Sequence, residues 1–248
     1  MRPGKNGSFL IKIILLLLLL PLVIPFFIPD FGVAYSGVVY ELFTRDKIVA
    51  LTFDDGPHPI YTPQILDILD QYQAKATFFM IGSRMEEYPE IVEEVSGRGH
   101  LIANHTYTHP KNLRAESPES IKKEVDRCQQ SIERLANQNA CLFRPPRGIL
   151  NQKIIKMLHK QGYTVVLWSI SADHHDAPTP ELMAARVIKH AHPGEIVLIH
   201  DGRTDLRWKD VEATRLIIEN LSKQGYRFVT LEELAQKRPL NRESASRE

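Results

Sequence analysis

Apolar positions divide the chain into an N-terminal run without polar interruption and a long region where short apolar runs alternate with amphipathic ones. The short runs at 48–53, 75–80, 100–103, 141–144, 164–168, 195–200 and 226–229 are mostly apolar at consecutive residues, not at every second one. Strands covered on both faces have this pattern, and it favours a parallel sheet. Between them, helical spacing recurs at 62–72, 85–96, 118–137, 151–161, 180–190, 208–224 and 231–237. Gly97, Gly162 and Gly225 follow predicted helix ends, where a left-handed cap is needed. Ser117-Pro118-Glu119 and Thr179-Pro180-Glu181 place a capping hydroxyl before a first-turn proline and an acid. Repeated βα units predict an α/β fold, either a barrel or an open doubly wound sheet. In both, the C-terminal strand ends share one face, so residues distant in sequence become neighbours there.

The first run, residues 13–28, follows Arg2, Lys5 and Lys12, the charged-then-hydrophobic order of an export signal. Small residues at Ala34 and Ser36 offer a cleavage site, whereas residues 9–28 are long enough to span a bilayer if Lys12 snorkels. The expected organisation is a signal peptide or signal anchor at 1–36, a lead-in at 37–44, a catalytic domain at 45–237 and a polar tail at 238–248. The domain is therefore expected to work outside the cytoplasm, secreted or tethered through residues 9–28.

The remaining composition mainly excludes. With 43% hydrophobic and 25% charged residues the chain can form one large core. Beyond residue 36 it carries 28 basic and 29 acidic residues, because Arg2, Lys5, Lys12 and Asp30 precede that point, so nothing favours a nucleic-acid partner. Cys128 falls mid-helix and Cys141 at the next strand start. They should be about 13 Å apart, too far for a disulfide, and both are expected to be buried and free.

Polar residues that look chemical cluster after the predicted strands. Asp54 and Asp55 end the first, before a Gly56-Pro57 turn, and neighbouring side chains on a strand diverge, so one can face a metal and the other a water. Taken alone, Asp-Asp-Gly-Pro is equally compatible with a capped turn. His105 and His109, after the third strand, can meet one ion if their segment is helical or tightly turned. With a carboxylate they form a His-His-Asp set suited to Zn²⁺ or a similar divalent ion. Arg144-Pro145-Pro146-Arg147-Gly148 ends the fourth strand with an arginine placed to pair with a carboxylate, and His200 ends the sixth.

In this order the motifs Thr52-Phe53-Asp54-Asp55-Gly56, His105-Thr106-Tyr107-Thr108-His109, Arg144-Pro145-Pro146-Arg147-Gly148 and Leu198-Ile199-His200-Asp201 resemble the polysaccharide deacetylase family, the NodB-homology domain or carbohydrate esterase 4. The resemblance spans about residues 45–237. It implies a distorted (β/α)7 barrel-like NodB-homology domain, here preceded by the N-terminal hydrophobic segment. It also implies that Asp55, His105 and His109 hold a divalent metal, most often Zn²⁺ with Co²⁺ or Ni²⁺ as alternatives. Asp54 is then the general base, Arg144 orients it, His200 is the general acid, Leu198 lines the acetyl pocket, and the backbone N–H of Arg147 helps bind the oxyanion.

The fourth family motif, usually Asp-x-x-Asp-Trp, reads Asp173-His174-His175-Asp176-Ala177 here. Asp173 or Asp176 could polarise His200, and Asp173, nearer the strand, is preferred. Ala177 removes the usual sugar-stacking aromatic, which Trp208 could supply. Arg147 stands where many relatives carry an aromatic and either favours an anionic polymer or is merely solvated. The activity expected is removal of N-acetyl groups from an N-acetylated polysaccharide or oligosaccharide, peptidoglycan or chitin-like. An O-acetyl esterase and a non-catalytic carbohydrate-binding relative are the alternatives, and the second should lack the base or the acid.

Overall fold

The run Ile48–Asp54 is buried at every position and lies at the centre of one nine-stranded sheet. The structure is a computed structural model, which describes residues 35–139 and 141–236. The hydrophobic segment at 9–28 and the polar tail at 238–248 lie outside these residues. Among the described residues no helix is long and apolar enough to cross a membrane.

In chain order the elements are β1 (Val38–Val39), β2 (Ile48–Asp54), α1 (Tyr61–Gln71), β3 (Thr77–Met80), α2 (Gly82–Glu87), α3 (Pro89–Gly97), β4 (Leu101–Asn104) and α4 (Pro118–Ala136). They continue with β5 (Leu142–Phe143), α5 (Gln152–Lys160), β6 (Thr164–Val166), β7 (Ile170–Ser171), α6 (Pro180–His190), β8 (Ile196–His200), α7 (Trp208–Lys223), β9 (Arg227–Phe228) and α8 (Leu231–Gln236). The sheet order is β1-β6-β5-β4-β3-β2-β8-β7, with β9 paired to the start of β2, and these strand pairs are all parallel.

Two departures from the expected seven strands explain how this sheet curls. The strand expected at 164–168 stops at Val166, and an unexpected short strand follows at 170–171: β6 pairs with β5, and β7 pairs with β8. One stretch of chain thus belongs to both ends of the sheet, which produces a distorted barrel and not an open doubly wound sheet. The lead-in also contributes β1, which adds to β6. The helix expected at 85–96 is broken at Tyr88, because Pro89 has no N–H to continue it and instead starts α3 at its first turn.

Strand alternation then divides the side chains. Val49, Leu51 and Phe53 of β2, Phe78 and Met80 of β3, and Val197 and Ile199 of β8 join one apolar cluster with Ile65, Leu66 and Leu69 of α1 and Ile217, Ile218 and Leu221 of α7. The intervening residues Thr52, Asp54, Leu198 and His200 point to the other face, inside the curl. Register pairs Thr52 with Leu198 and Asp54 with His200, so the polar ends of two central strands stand side by side.

The expected capping hydroxyls are in place, Ser117 accepting from the Ser120 N–H and Thr179 from the Leu182 N–H. Gly162 and Gly225 adopt left-handed φ of 87° and 84°, but Gly97 remains helical and Gly99 takes the turn at 78°. Cys128 is buried and Cys141 exposed, both free, so the expectation that both are buried fails at Cys141, the residue just ahead of the short β5.

Candidate active site

The rim of the barrel is built by strands that stop where their last side chains turn inward. β2 ends on Asp54; Asp55 then takes a left-handed φ of 75°, reversing its side chain away from the strand, and Gly56–Pro57 is a cis peptide. The loop depends on small residues. A Cβ on Gly56 would lie 2.3 Å from an Asp201 carboxylate oxygen, and one on Gly202 would lie 2.0 Å from the Asp55 carbonyl.

After β4 the chain makes a tight turn, not a helix, and Thr106 and His109 have left-handed φ of 67° and 57°. Neighbours hold this turn by its backbone. The Asn104 side chain accepts from the Thr106 N–H at 3.0 Å and donates to the Val125 carbonyl at 2.9 Å. Glu124 of α4 accepts from the N–H groups of Tyr107 and Thr108 at 3.0 and 2.7 Å. The two imidazoles are thereby brought together, with ring centroids 5.0 Å apart.

Asp55, His105 and His109, all buried, bring one donor atom each to within 4.8 Å of one another. Asp55 Oδ1 is 3.4 Å from His105 Nε2 and 3.0 Å from His109 Nε2. His105 Nδ1 lies 2.8 Å from the Arg144 carbonyl, which can only accept, so that nitrogen carries the proton and Nε2 presents a lone pair. Burial opposes ionisation of Asp55, but the two imidazoles packed against its carboxylate outweigh it and hold the carboxyl well below its ordinary range. Two lone-pair nitrogens and a carboxylate converging on one point fit a divalent cation of borderline softness.

Beside this set Asp54 is paired with Arg144, whose Nη1 donates to Asp54 Oδ1 at 2.7 Å. Arg144 leaves β5 fully buried, stacks 4.0 Å from the Phe79 ring, and donates also to Thr52 Oγ1 and to the Val166 and Leu167 carbonyls. Burial lowers its pKa, and Asp54 pulls it back. Asp54 Oδ2, turned the other way, lies 3.8 Å from His105 Nε2.

His200 reaches the same rim from β8. Its Nδ1 makes no hydrogen bond within the protein and is 3.7 Å from Asp173 Oδ2. Asp176 is engaged elsewhere, 2.6 Å from His174 Nδ1 and 3.6 Å from Arg186. Leu198 is 4% exposed on the inner face. Arg147 is exposed at a left-handed φ of 58° in the turn after Pro146. Trp208 is 51% exposed and shares a cleft of about 340 Å³ with Asp173, Met183, Leu206 and Asp210, while Ala177 is buried in the same wall.

Several residues at the site have no role assigned from sequence. Arg203 reaches to 3.4 Å from His109 Nε2 and 3.7 Å from Asp55 Oδ2. Asp201, behind the Asp55 loop, accepts from Thr62 Oγ1 at 2.6 Å. Burial, opposed by Thr62 and reinforced by Asp55 and Asp54, pushes it up to about 7. Arg207 and Asp210 stand behind His200. Only the adjacency of Asp201 to His200 left a trace in the sequence.

The profile of the family described as polysaccharide deacetylase matches residues 43–166. A peptidoglycan-N-acetylglucosamine deacetylase of Bacillus cereus is 44% identical over 199 residues, covering 79% of this chain and 92% of the relative. A chitooligosaccharide deacetylase of Azorhizobium caulinodans is 37% identical over 167 residues, covering 67% of this chain and 79% of its own. A crystal structure of a peptidoglycan N-acetylglucosamine deacetylase superposes with a TM-score of 0.77 at 33% identity, covering 82% of this chain and 95% of that one. A family profile that matches half of the chain, a 44%-identical relative covered almost throughout and a superposed parallel barrel together establish that the chain belongs to the polysaccharide deacetylase family.

Proposed function

We propose that the chain is an exported, zinc-dependent deacetylase that hydrolyses the N-acetyl groups of amino sugars in peptidoglycan. One observation carries this reading. A donor set for a divalent cation, Asp55 with His105 and His109, sits at the same strand rim as an arginine-bound carboxylate, Asp54, and an inward imidazole, His200. Peptidoglycan is favoured over chitooligosaccharides because the 44%-identical relative that this chain nearly covers bears the former name. Export is supported by the apolar run 13–28 behind three cations. A binding relative without turnover is disfavoured, because neither the base nor the acid is missing.

An acetamide has a weakly electrophilic carbonyl and a poor leaving group. Hydrolysis therefore needs an activated water, charge stabilisation at oxygen and a proton for the departing amine. Asp55, His105 and His109 would hold a divalent cation, which would supply Lewis acidity and lower the pKa of a water to about 7. Asp54 takes the proton of the attacking water on Oδ2, since Arg144 occupies Oδ1 and fixes the carboxylate plane. The backbone at Arg147 and the apolar wall at Leu198 bracket the acetyl group. His200 hands its proton to nitrogen as the C–N bond breaks, leaving acetate and a free amine. Asp173 Oδ2 faces the other ring nitrogen, 3.7 Å from Nδ1.

The test is the initial rate of acetate release by the full chain from peptidoglycan, N-acetylated chitooligosaccharides and an O-acetylated glycan. The reading expects the fastest release from peptidoglycan, with free amines appearing in step. Release from the O-acetylated glycan alone would replace it by an esterase.

A further inference from the structure

Behind His200 lies a charged clamp that the chemistry above does not use. Arg207, the residue before α7, has a side chain only 14% exposed. Its Nη1 donates to Asp173 Oδ2 at 3.0 Å and to Asp210 Oδ2 at 3.3 Å, and its Nε donates to the Gly202 carbonyl at 3.1 Å. Asp210, buried in the first turn of α7, uses Oδ1 to accept the backbone N–H of His200 at 3.2 Å. One guanidinium thus joins the loop after β7, the turn after β8 and the start of α7, the three segments around the imidazole.

The geometry shows what this clamp is for. Asp173 Oδ2 is 3.7 Å from His200 Nδ1, beyond hydrogen-bond length, so no direct bond fixes the carboxylate against the ring. Asp173, His200 and Asp210 offer donor atoms within 4.8 Å, and two carboxylates so close repel unless a cation lies between them. Arg207 is that cation, and its planar fork sets direction as well as charge. Burial raises the pKa of Asp210, and Arg207 beside it opposes that rise.

We propose that Arg207 and Asp210 are positioning residues for the proton transfer from His200, Arg207 by aiming Asp173 and Asp210 by anchoring the His200 backbone. The proposal rests on the deacetylase reading. His200 gives its proton to the amine nitrogen as the C–N bond breaks and regains one from solvent; Arg207 and Asp210 exchange no proton in the step.

A residue that serves only the acid matters for an amide and hardly for an ester whose leaving group needs no proton. The experiment compares the full chain with Arg207→Met, Arg207→Lys and Asp210→Asn on an N-acetylated chitooligosaccharide and on 4-nitrophenyl acetate. For Arg207→Met the expected result is a fall in amide kcat of about tenfold or more, with KM and the ester rate within about twofold. Arg207→Lys recovers part of the amide rate, since it keeps the charge but not the fork. Asp210→Asn retains an oxygen for the His200 N–H and lowers the amide-to-ester ratio less than Arg207→Met. Equal losses on both substrates, or an unchanged amide rate, would overturn the proposal. If Arg207→Met does not fold, Asp210→Asn decides: a lowered ratio supports the clamp and an unchanged one removes it. Wild-type chain that hydrolyses the ester but no amide would instead remove the deacetylase reading on which the clamp depends.

Discussion

Arg144 and Asp54 form an ion pair of 2.7 Å inside the barrel, with side chains 0% and 5% exposed. The same guanidinium binds Thr52 Oγ1 at 2.8 Å and the Val166 and Leu167 carbonyls at 3.3 and 2.9 Å, so one cation ties β2 to β5 and to the end of β6. Arg144→Met leaves Asp54 as a buried charge without its partner, a loss of about 3–5 kcal/mol. Arg144→Lys keeps the charge but cannot satisfy four acceptors from one point. Both variants are expected to lower kcat by about 10²-fold or more, and the methionine variant to unfold at clearly lower temperature. Thermal unfolding measured beside kinetics checks this, and a lysine variant with full activity would contradict it.

Metal content tests the donor set directly. His105→Ala and His109→Ala each remove one donor, and loss of a ligand should cost at least the roughly 10- to 100-fold in affinity seen when a supporting group is lost. After dialysis against buffered zinc, elemental analysis should find about one equivalent in the wild-type chain and far less in either variant. Retention at wild-type affinity would place the cation elsewhere.

Two glycines separate close approach from mere helix ending. A Cβ at Gly202 would sit 2.0 Å from the Asp55 carbonyl and 2.6 Å from the Gly56 nitrogen. Gly202→Ala should therefore displace the loop that carries Asp55 and weaken both stability and metal binding. Gly97, helical with nothing near its Cβ position, should tolerate alanine and gain about 0.4–1 kcal/mol from a stiffer unfolded chain. Unfolding midpoints for the pair are expected to move in opposite directions.

At the opposite end of β8, burial raises Glu195 from 4.5 to about 8, opposed by His192. Between these values the folded chain holds a proton that the unfolded chain has released. This contribution to stability is complete below pH 4.5 and is lost as pH rises through about 8. His192, raised to about 9 by its hydrogen bond to Glu41, adds a loss of the same sign between 6.5 and 9. The Glu195 part is therefore read most cleanly from pH 4.5 to 6.5. Glu195→Gln should flatten the fall there, as followed by denaturant unfolding at fixed pH steps. An unchanged slope would show that Glu195 does not carry it.

What the sequence disclosed and what it hid follow from the range of the signal. The runs at 48–53 and 195–200 are apolar because helices cover them on one side and the barrel interior on the other, so their strand character and their inward ends were legible. The short strand β7 at 170–171 was not, because changing partners from β5 to β8 just after β6 is a tertiary event with no local marker. Asp54, Asp55, His105, His109, Arg144 and His200 announced themselves at strand ends. Glu124 and Arg207 did not, since a mid-helix glutamate and an arginine before a helix look like solvated surface until the fold brings them to the turn at 105–109 and to Asp173. Asp173 is preferred from sequence only for lying nearer the strand, and the fold sets it near His200 while turning Asp176 to His174.

The most direct test of the central claim is acetate release from N-acetylated glycan by the full chain, before and after removal of metal with a chelator, beside Asp54→Asn. Release should disappear with the chelator, return with added zinc, and fall by about 10²-fold or more in Asp54→Asn with its metal still bound. Release that survives chelation, or an Asp54→Asn chain as active as the wild type, would contradict that claim.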